Sequence, residues 1–291
     1  MLTPNQTNYK QKSNYVLADL LQRNKLILIC VLAFIIGIYF NIYKLVVVDW
    51  MTDENNSHGF LIPFVTAYLL WRKRSDLLAT KISPDPLGLL LVMSGSILLI
   101  LGHAATEFFT MRSSLIVILL GMSLALFGRE IFQKTFAPLA YLIFMVPVPT
   151  AIYTSIAFPF KMFISTVTVY ILKLIGVAVM QEGNIIILPA MSLEVVDACS
   201  GVRSLMSLLA LGVAYVMIRP TSFLRRIMIV SFALPATVIC NMLRLLITAL
   251  LVQYVTTDAA SGSFHDAIGY ATFIISFALF ISFGEFITRS E

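Results

Sequence analysis

Apolar runs of bilayer-crossing length recur from Lys25 to the end of the chain, and that recurrence dictates the fold class. About 20 apolar residues wound as a helix match a hydrocarbon layer about 30 Å thick and satisfy their own backbone hydrogen bonds within it. The runs lie at about 25–48, 59–71, 86–103, 113–128, 135–157, 200–218, 227–255 and 266–287, with an amphipathic stretch at about 158–180. The second run is short for a span, to be met by tilt, by thinning of the surrounding lipid or by extension through residues 55–58. The expectation is an all-α, polytopic transmembrane helical bundle of about eight spans. A hydrophobic content of 59%, charged residues at 12% and a mean hydropathy of +0.92 leave little material for a soluble domain. Residues 1–24 read as a polar cytoplasmic tail and residues 25–291 as a single integral-membrane domain. No small-residue cleavage site follows the first run, which therefore reads as a retained anchor.

The formal net charge of +5 reads as a set of topology signals, and no nucleic-acid partner is expected. Lys10, Lys12, Arg23 and Lys25 precede the first run while Asp49, Asp53 and Glu54 follow it, which places the N-terminus in the cytoplasm. The same rule puts Arg72 to Lys81, Arg129 with Lys134, Arg219 to Arg226, and Arg289 inside. An even number of crossings must then separate Lys134 from Arg219. Lys161, Ser165, Thr168 and Lys173 interrupt the 158–180 stretch, which suits an interfacial helix. Eight crossings with both termini cytoplasmic result, and nine fit the charges less well. Residues 181–200 then lie outside, where the β-branched, proline-ended segment Asn184 to Pro189 forms a short extended piece.

Cys199, in Asp197-Ala-Cys-Ser-Gly-Val-Arg203, stands at a helix N-terminus on the outer face, a setting that lowers a thiol pKa and favours the nucleophilic thiolate. Arg203 lies one turn deeper and needs an acceptor. Arg244 is 17 residues beyond Ile227, roughly 25 Å from the cytoplasmic end of its helix. His265 stands just before the last run, also outside. A thiol, an imidazole and a fixed cation at one depth form the minimum set for acyl transfer through a thioester. Each has an ordinary reading taken singly: a packing cysteine, a solvated histidine, an arginine paired with a structural carboxylate. His58 and His103 compete with His265 for the base. Cys199, Cys240 and His265 could be grouped as metal ligands, but no ligand spacing supports the grouping, and neither metal nor cofactor is expected.

Several pieces of the sequence together resemble the exosortase and archaeosortase family of membrane-embedded cysteine transpeptidases, in its bacterial exosortase branch. They are Ser57-His-Gly-Phe-Leu-Ile-Pro63 with Trp71, Phe144-Met-Val-Pro147, Glu182-Gly-Asn184 with Leu188-Pro189, Glu194 to Ser204, Asn241-Met-Leu-Arg244 and His265-Asp-Ala-Ile-Gly269. The histidine separates this branch from archaeal relatives, in which that role looks to be filled by arginine. The resemblance implies a Cys199, Arg244 and His265 site, with Arg203, Asp197, Glu194, Ser200, Asn241 and His58 as substrate-binding or supporting residues. It implies substrates that are exported, membrane-anchored proteins with a C-terminal PEP-CTERM-type sorting signal: a Pro-Glu-Pro-type motif, a transmembrane helix and a basic tail. The acceptor is an unidentified nucleophile, such as a lipid amine. Ending at Glu291 after its last run, the chain is expected to lack a fused accessory domain, so that any accessory function comes from a separate protein. The implied location is the bacterial cytoplasmic (inner) membrane with the site facing outward. The rival reading is a membrane transferase or transport component of exopolysaccharide or lipid assembly.

Reporter fusions test the arrangement. Green fluorescence is expected after Lys81, Lys134 and Arg226, and alkaline phosphatase activity after Asn56 and Thr257. Phosphatase activity at Arg226 would reverse the orientation of the Cys199 helix.

Overall fold

A computed structural model describes residues 17, 25–195, 201–219 and 221–289 of the chain. Its contacts divide the chain into two compact units, residues 1–148 and 149–291. Among the described residues six helical segments are long and apolar enough to cross a bilayer, Ile29–Thr52, Leu87–Ala104, Phe108–Phe127, Thr150–Leu174, Phe223–Tyr254 and Gly262–Arg289, and Val202–Ile218 is a shorter apolar helix. The chain is thus almost entirely helical, the architecture of a polytopic membrane bundle.

In the first unit, α1 (Lys25–Thr52) is followed by a 3-10 helix (Glu54–Leu61) and the short α2 (Ile62–Arg72) and α3 (Arg74–Leu78). The run expected as a second span is therefore a 3-10 turn leading into 11 helical residues, about 16 Å of α-helix. Helices α4 (Leu87–Ala104) and α5 (Phe108–Met122) form the tightest pair. Gly88, Gly95 and Gly102 recur every seven residues along α4 and are all buried. A Cβ on Gly88 would come 2.2 Å from Ala125 N, and one on Gly102 would come 2.8 Å from Met111 N. Lipid tails are as apolar as leucine, so close backbone approach supplies the attraction between such helices. The turn between them is capped by Glu107, whose carboxylate accepts from the N–H groups of Phe109 and Thr110 at 3.1 and 2.6 Å. Hydrogen bonding by Thr110 chiefly holds that carboxyl below its usual range.

Helix α6 (Arg129–Ala140) brings the chain back beside α3. Lys134 Nζ donates to Thr80 Oγ1 at 2.8 Å and Lys73 Nζ to the Lys134 carbonyl at 2.9 Å, while Leu17 N donates to the Thr80 carbonyl at 3.1 Å. Segments grouped as one-sided by their charge thus meet at one end of this unit. Elsewhere α1 is tied to α5 by an ion pair of 2.6 Å between Asp49 and Arg112, whose side chain is 7% exposed, and by a 2.6 Å hydrogen bond between Tyr39 and Ser114. The expected run 135–157 is broken. After α6 come a 3-10 turn (Tyr141–Met145) and an extended Val146, because Pro147 and Pro149 lack N–H donors and bias their predecessors away from helix.

The second unit opens with α7 (Thr150–Leu174), one continuous helix of 25 residues. No separate interfacial helix occupies 158–180. Ser165 and Thr168, the polar residues that suggested one, are fully buried among apolar side chains. A three-stranded antiparallel meander follows, β1 (Met180–Glu182), β2 (Ile185–Ile187) and β3 (Ser192–Glu194). Gly183, at φ +62, and Asn184 make its two-residue hairpin, and the register pairs buried Ile186 with buried Leu193. The extended piece expected at 184–189 is thus the middle strand of a sheet. Helices α8 (Val202–Ile218), α9 (Phe223–Ser231), α10 (Ala233–Tyr254) and α11 (Gly262–Arg289) complete the unit. The run 227–255 is divided at Phe232, with Pro235 in the first turn of α10, where a missing N–H is tolerated. One core packs the sheet against α7 and the C-terminal half of α10 around Ile164, Leu172, Ile186, Val195 and Ala249. The other joins α8, α9, α10 and α11 around Leu208, Ile229, Ala236 and Phe280.

Gly88→Ala is expected to lower stability by about 1–3 kcal/mol through overpacking, read as earlier thermal unfolding in detergent. Gly37→Ala, on α1 with nothing within 4 Å of its Cβ position, is expected to leave unfolding unchanged.

Candidate active site

Helices α10 and α11 run antiparallel beside each other, joined by a turn that carries a 3-10 helix (Thr257–Ala260). Thr256 caps that 3-10 helix through its hydroxyl, which accepts from Asp258 N at 3.2 Å. Its carbonyl at Ala259 faces the first turn of α11, where His265 is the fourth residue. Arg244 stands on α10 three residues after the buried Asn241.

These placements produce one chain of hydrogen bonds. Arg244 Nη2 lies 2.9 Å from His265 Nε2, and His265 Nδ1 lies 3.3 Å from the Ala259 carbonyl oxygen. A guanidinium only donates and a carbonyl only accepts. The imidazole must therefore donate through Nδ1–H and accept at Nε2, which is the neutral form of that tautomer. Protonation at Nε2 would turn this attraction into a repulsion between two cations. Arg244 and His265, expected at one depth from helix positions alone, are in direct contact.

Two glycines of the quoted motifs have geometric reasons here. Gly269 follows His265 by four residues on the same face of α11, and a Cβ there would come 2.9 Å from Arg244 Nη2 and 3.0 Å from its Cζ. The histidine binds the guanidinium and the glycine gives it room. Gly201 has φ +82, a conformation that side chains disfavour, and a Cβ on it would lie 3.0 Å from Asn241 Cγ. The start of α8 thereby rests on the face of α10 that carries Asn241 and Arg244.

The remaining expected residues fall in several places. Cys199, Asp197 and Ser200 lie outside the described residues. Val195 and Gly201, which flank that stretch in sequence, are both buried. Val195 exchanges hydrogen bonds with Asn184: its N–H donates to the Asn184 carbonyl at 2.9 Å, and Asn184 Nδ2 donates to its carbonyl at 3.2 Å. Arg203 is half-buried in the first turn of α8, with its carbonyl accepting from Ser207. Glu194 is exposed at the end of β3, opposite Ile185. His58 belongs to the first unit, in the 3-10 helix Glu54–Leu61, with backbone hydrogen bonds at Asn55 and Phe144. Two motif pieces far apart in sequence, Ser57 to Pro63 and Phe144 to Pro147, are therefore neighbours, and Trp50 Nε1 donates to the Met145 carbonyl beside them at 3.0 Å.

Sequence reasoning missed a small polar cavity behind Arg244. Its walls include Thr237, Cys240, Asn241 and Arg244 from α10, and Thr272 and Ser276 from α11. The signal was available: 237, 241 and 244 share one helical face, as do 265, 269, 272 and 276, and both stripes are polar or small within otherwise apolar helices.

The profile of the transmembrane exosortase family matches residues 50–282. No curated protein and no solved structure matches the chain.

Nitrogen-15 NMR of histidine-labelled protein, with His265→Asn as the assignment control, is expected to show His265 protonated at Nδ1 and bare at Nε2 near neutral pH. An Nε2–H tautomer or an imidazolium would contradict the hydrogen-bond order.

Proposed function

Because the chain belongs to the transmembrane exosortase family, we propose that it is a cysteine transpeptidase that cleaves exported proteins at a C-terminal PEP-CTERM-type sorting signal. Family membership by itself implies a cysteine-based membrane enzyme that meets sorting-signal-bearing membrane proteins. The observation that carries the finer reading is the 2.9 Å contact of Arg244 with a neutral His265, made beside the face of α10 against which Gly201, two residues after Cys199, is packed. In this reading the Cys199 thiol acts beside Arg244, since two residues of chain reach about 7 Å at most.

In the proposed reaction His265 Nε2 takes the proton of the Cys199 thiol. The imidazolium then repels Arg244, and the guanidinium turns to the new anion, first the thiolate and then the tetrahedral oxyanion. The thiolate sulfur bonds to the scissile carbonyl carbon, the C–N bond breaks, and His265 returns its proton to the leaving amine. A thioester on Cys199 remains. An acceptor nucleophile, water or a lipid amine, attacks it and expels the thiolate. Arg244 thus shuttles between a base that must be neutral at rest and an anion that exists only during turnover. Arg203, half-buried at the same helix start, reads an acidic residue of the sorting motif or holds the site's shape. Asp197, Glu194, Ser200, Asn241 and His58 are supporting residues in this scheme.

We place residues 25–291 as one integral-membrane domain in the bacterial cytoplasmic membrane, the site outward and both termini inside. Eight crossings remain the count that satisfies the charges: α1, the 3-10 turn with α2, α4, α5, α7, α8, α9 with α10, and α11. The two crossings needed between Lys134 and Arg219 are supplied by α7 and α8 instead of by 135–157 and α8, so parity is preserved by a different helix.

Cys199→Ser, co-expressed with a substrate bearing the sorting signal, is expected to abolish processing while enzyme levels stay normal. Retained processing would remove the thioester and leave the polysaccharide or lipid transferase reading in possession.

A further inference from the structure

The cavity behind Arg244 has a volume of about 20 Å³, and a water molecule needs at least about 10 to 15 Å³ of space for its centre together with two to four polar partners. Both conditions meet here. Thr237 and Ser276 are each 1% exposed; among the described residues the Thr237 hydroxyl has no hydrogen-bond partner, and the Ser276 hydroxyl has none but a weak contact with the Cys240 thiol. They come from different helices, α10 and α11, and both line the cavity along with Arg244, Asn241 and Thr272. Thr272 already donates to the carbonyls of Ile268 and Gly269 at 2.9 and 3.0 Å, so its hydroxyl oxygen remains an acceptor. Buried hydroxyls on interior helix faces ordinarily find a partner, because a lost hydrogen bond in an apolar medium is costly.

We propose that this cavity is a binding site for one water molecule, and that Thr237 and Ser276 act through it as positioning residues for Arg244. The water accepts an N–H from the guanidinium and donates to the two hydroxyls, bridging α10 to α11 beneath the Arg244–His265 contact. Gly269 bounds the guanidinium on another side, so an imidazole, a backbone surface and a water are among the groups that hold it. This sets the direction in which Nη2 points at rest, before the guanidinium turns to the anion. It also explains why two hydroxyls stand at positions 237 and 276, where apolar helices would otherwise carry aliphatic side chains. The water is a structural partner of the cation and not the acceptor that resolves the thioester. Its kinetic consequences rest on the cysteine mechanism proposed above; its existence does not.

The test has a structural arm and a kinetic arm, both on the full chain. An experimental map of the wild-type protein, fine enough to show ordered water elsewhere in its interior, is expected to hold one density peak in hydrogen-bonding range of Thr237 Oγ1 and Ser276 Oγ. The double variant Thr237→Val with Ser276→Ala removes both hydroxyls with little change in shape. It is expected to lose about tenfold in kcat with KM for a sorting-signal substrate unchanged, whereas Thr237→Ser, which keeps the hydroxyl, stays near wild type. A cavity without density, a double variant with wild-type kcat, or a Thr237→Ser variant as impaired as Thr237→Val would each overturn the proposal. If the double variant fails to accumulate, the wild-type map decides. If Cys199→Ser retains processing, the kinetic arm no longer reports on this site and the map again decides.

Discussion

An arginine inside an apolar helix bundle must be given partners by its surroundings, and the second unit is arranged around that requirement. Arg244 is met by the imidazole of His265, accommodated by a residue without a side chain at Gly269, and backed by a polar cavity. The histidine is itself oriented by the Ala259 carbonyl, which in turn depends on the 3-10 helix between α10 and α11. The meander sheet and α7 pack beneath that turn in one apolar core that includes Ala259.

The two units solve the same electrostatic problem with different chemistry. Arg112 is met by the carboxylate of Asp49 at 2.6 Å, which cancels its charge and ties α1 to α5. Arg244 is met by the imidazole of His265, which accepts from it in its neutral form. A carboxylate partners the arginine that ties α1 to α5, and an imidazole is among the partners of the arginine beside the polar cavity.

Much of this was legible in the sequence because membrane helices announce themselves by length and composition. The depth estimate for Arg244, counted from Ile227, brought it level with His265, and the structure joins them. The break at Pro147 and Pro149 was misread, because apolar side chains continue through it and hydropathy does not register a missing N–H. The polar residues of α7 were assigned to an interface although Ser165 and Thr168 face inward; composition reports polarity without direction. The glycine row of α4, the Asp49–Arg112 pair and the cavity hydroxyls are legible only when faces are compared across two helices. Cys199 was singled out by its setting at a helix start, and it lies outside the described residues.

Helix α11 carries His265 near one end and Glu285 near the other, where Glu285 accepts from Arg219 Nη2 at 2.7 Å and from Tyr215 Oη at 3.1 Å. Twenty residues of continuous helix make a rigid rod of about 30 Å between them. The rod has the length of a hydrocarbon layer, so the imidazole's immersion is set by where the far end is moored. In a lipid host a few ångströms thinner or thicker, the bundle must tilt or the surrounding lipid must deform, so the two ends of one helix tie the setting of the imidazole to the dimensions of its host.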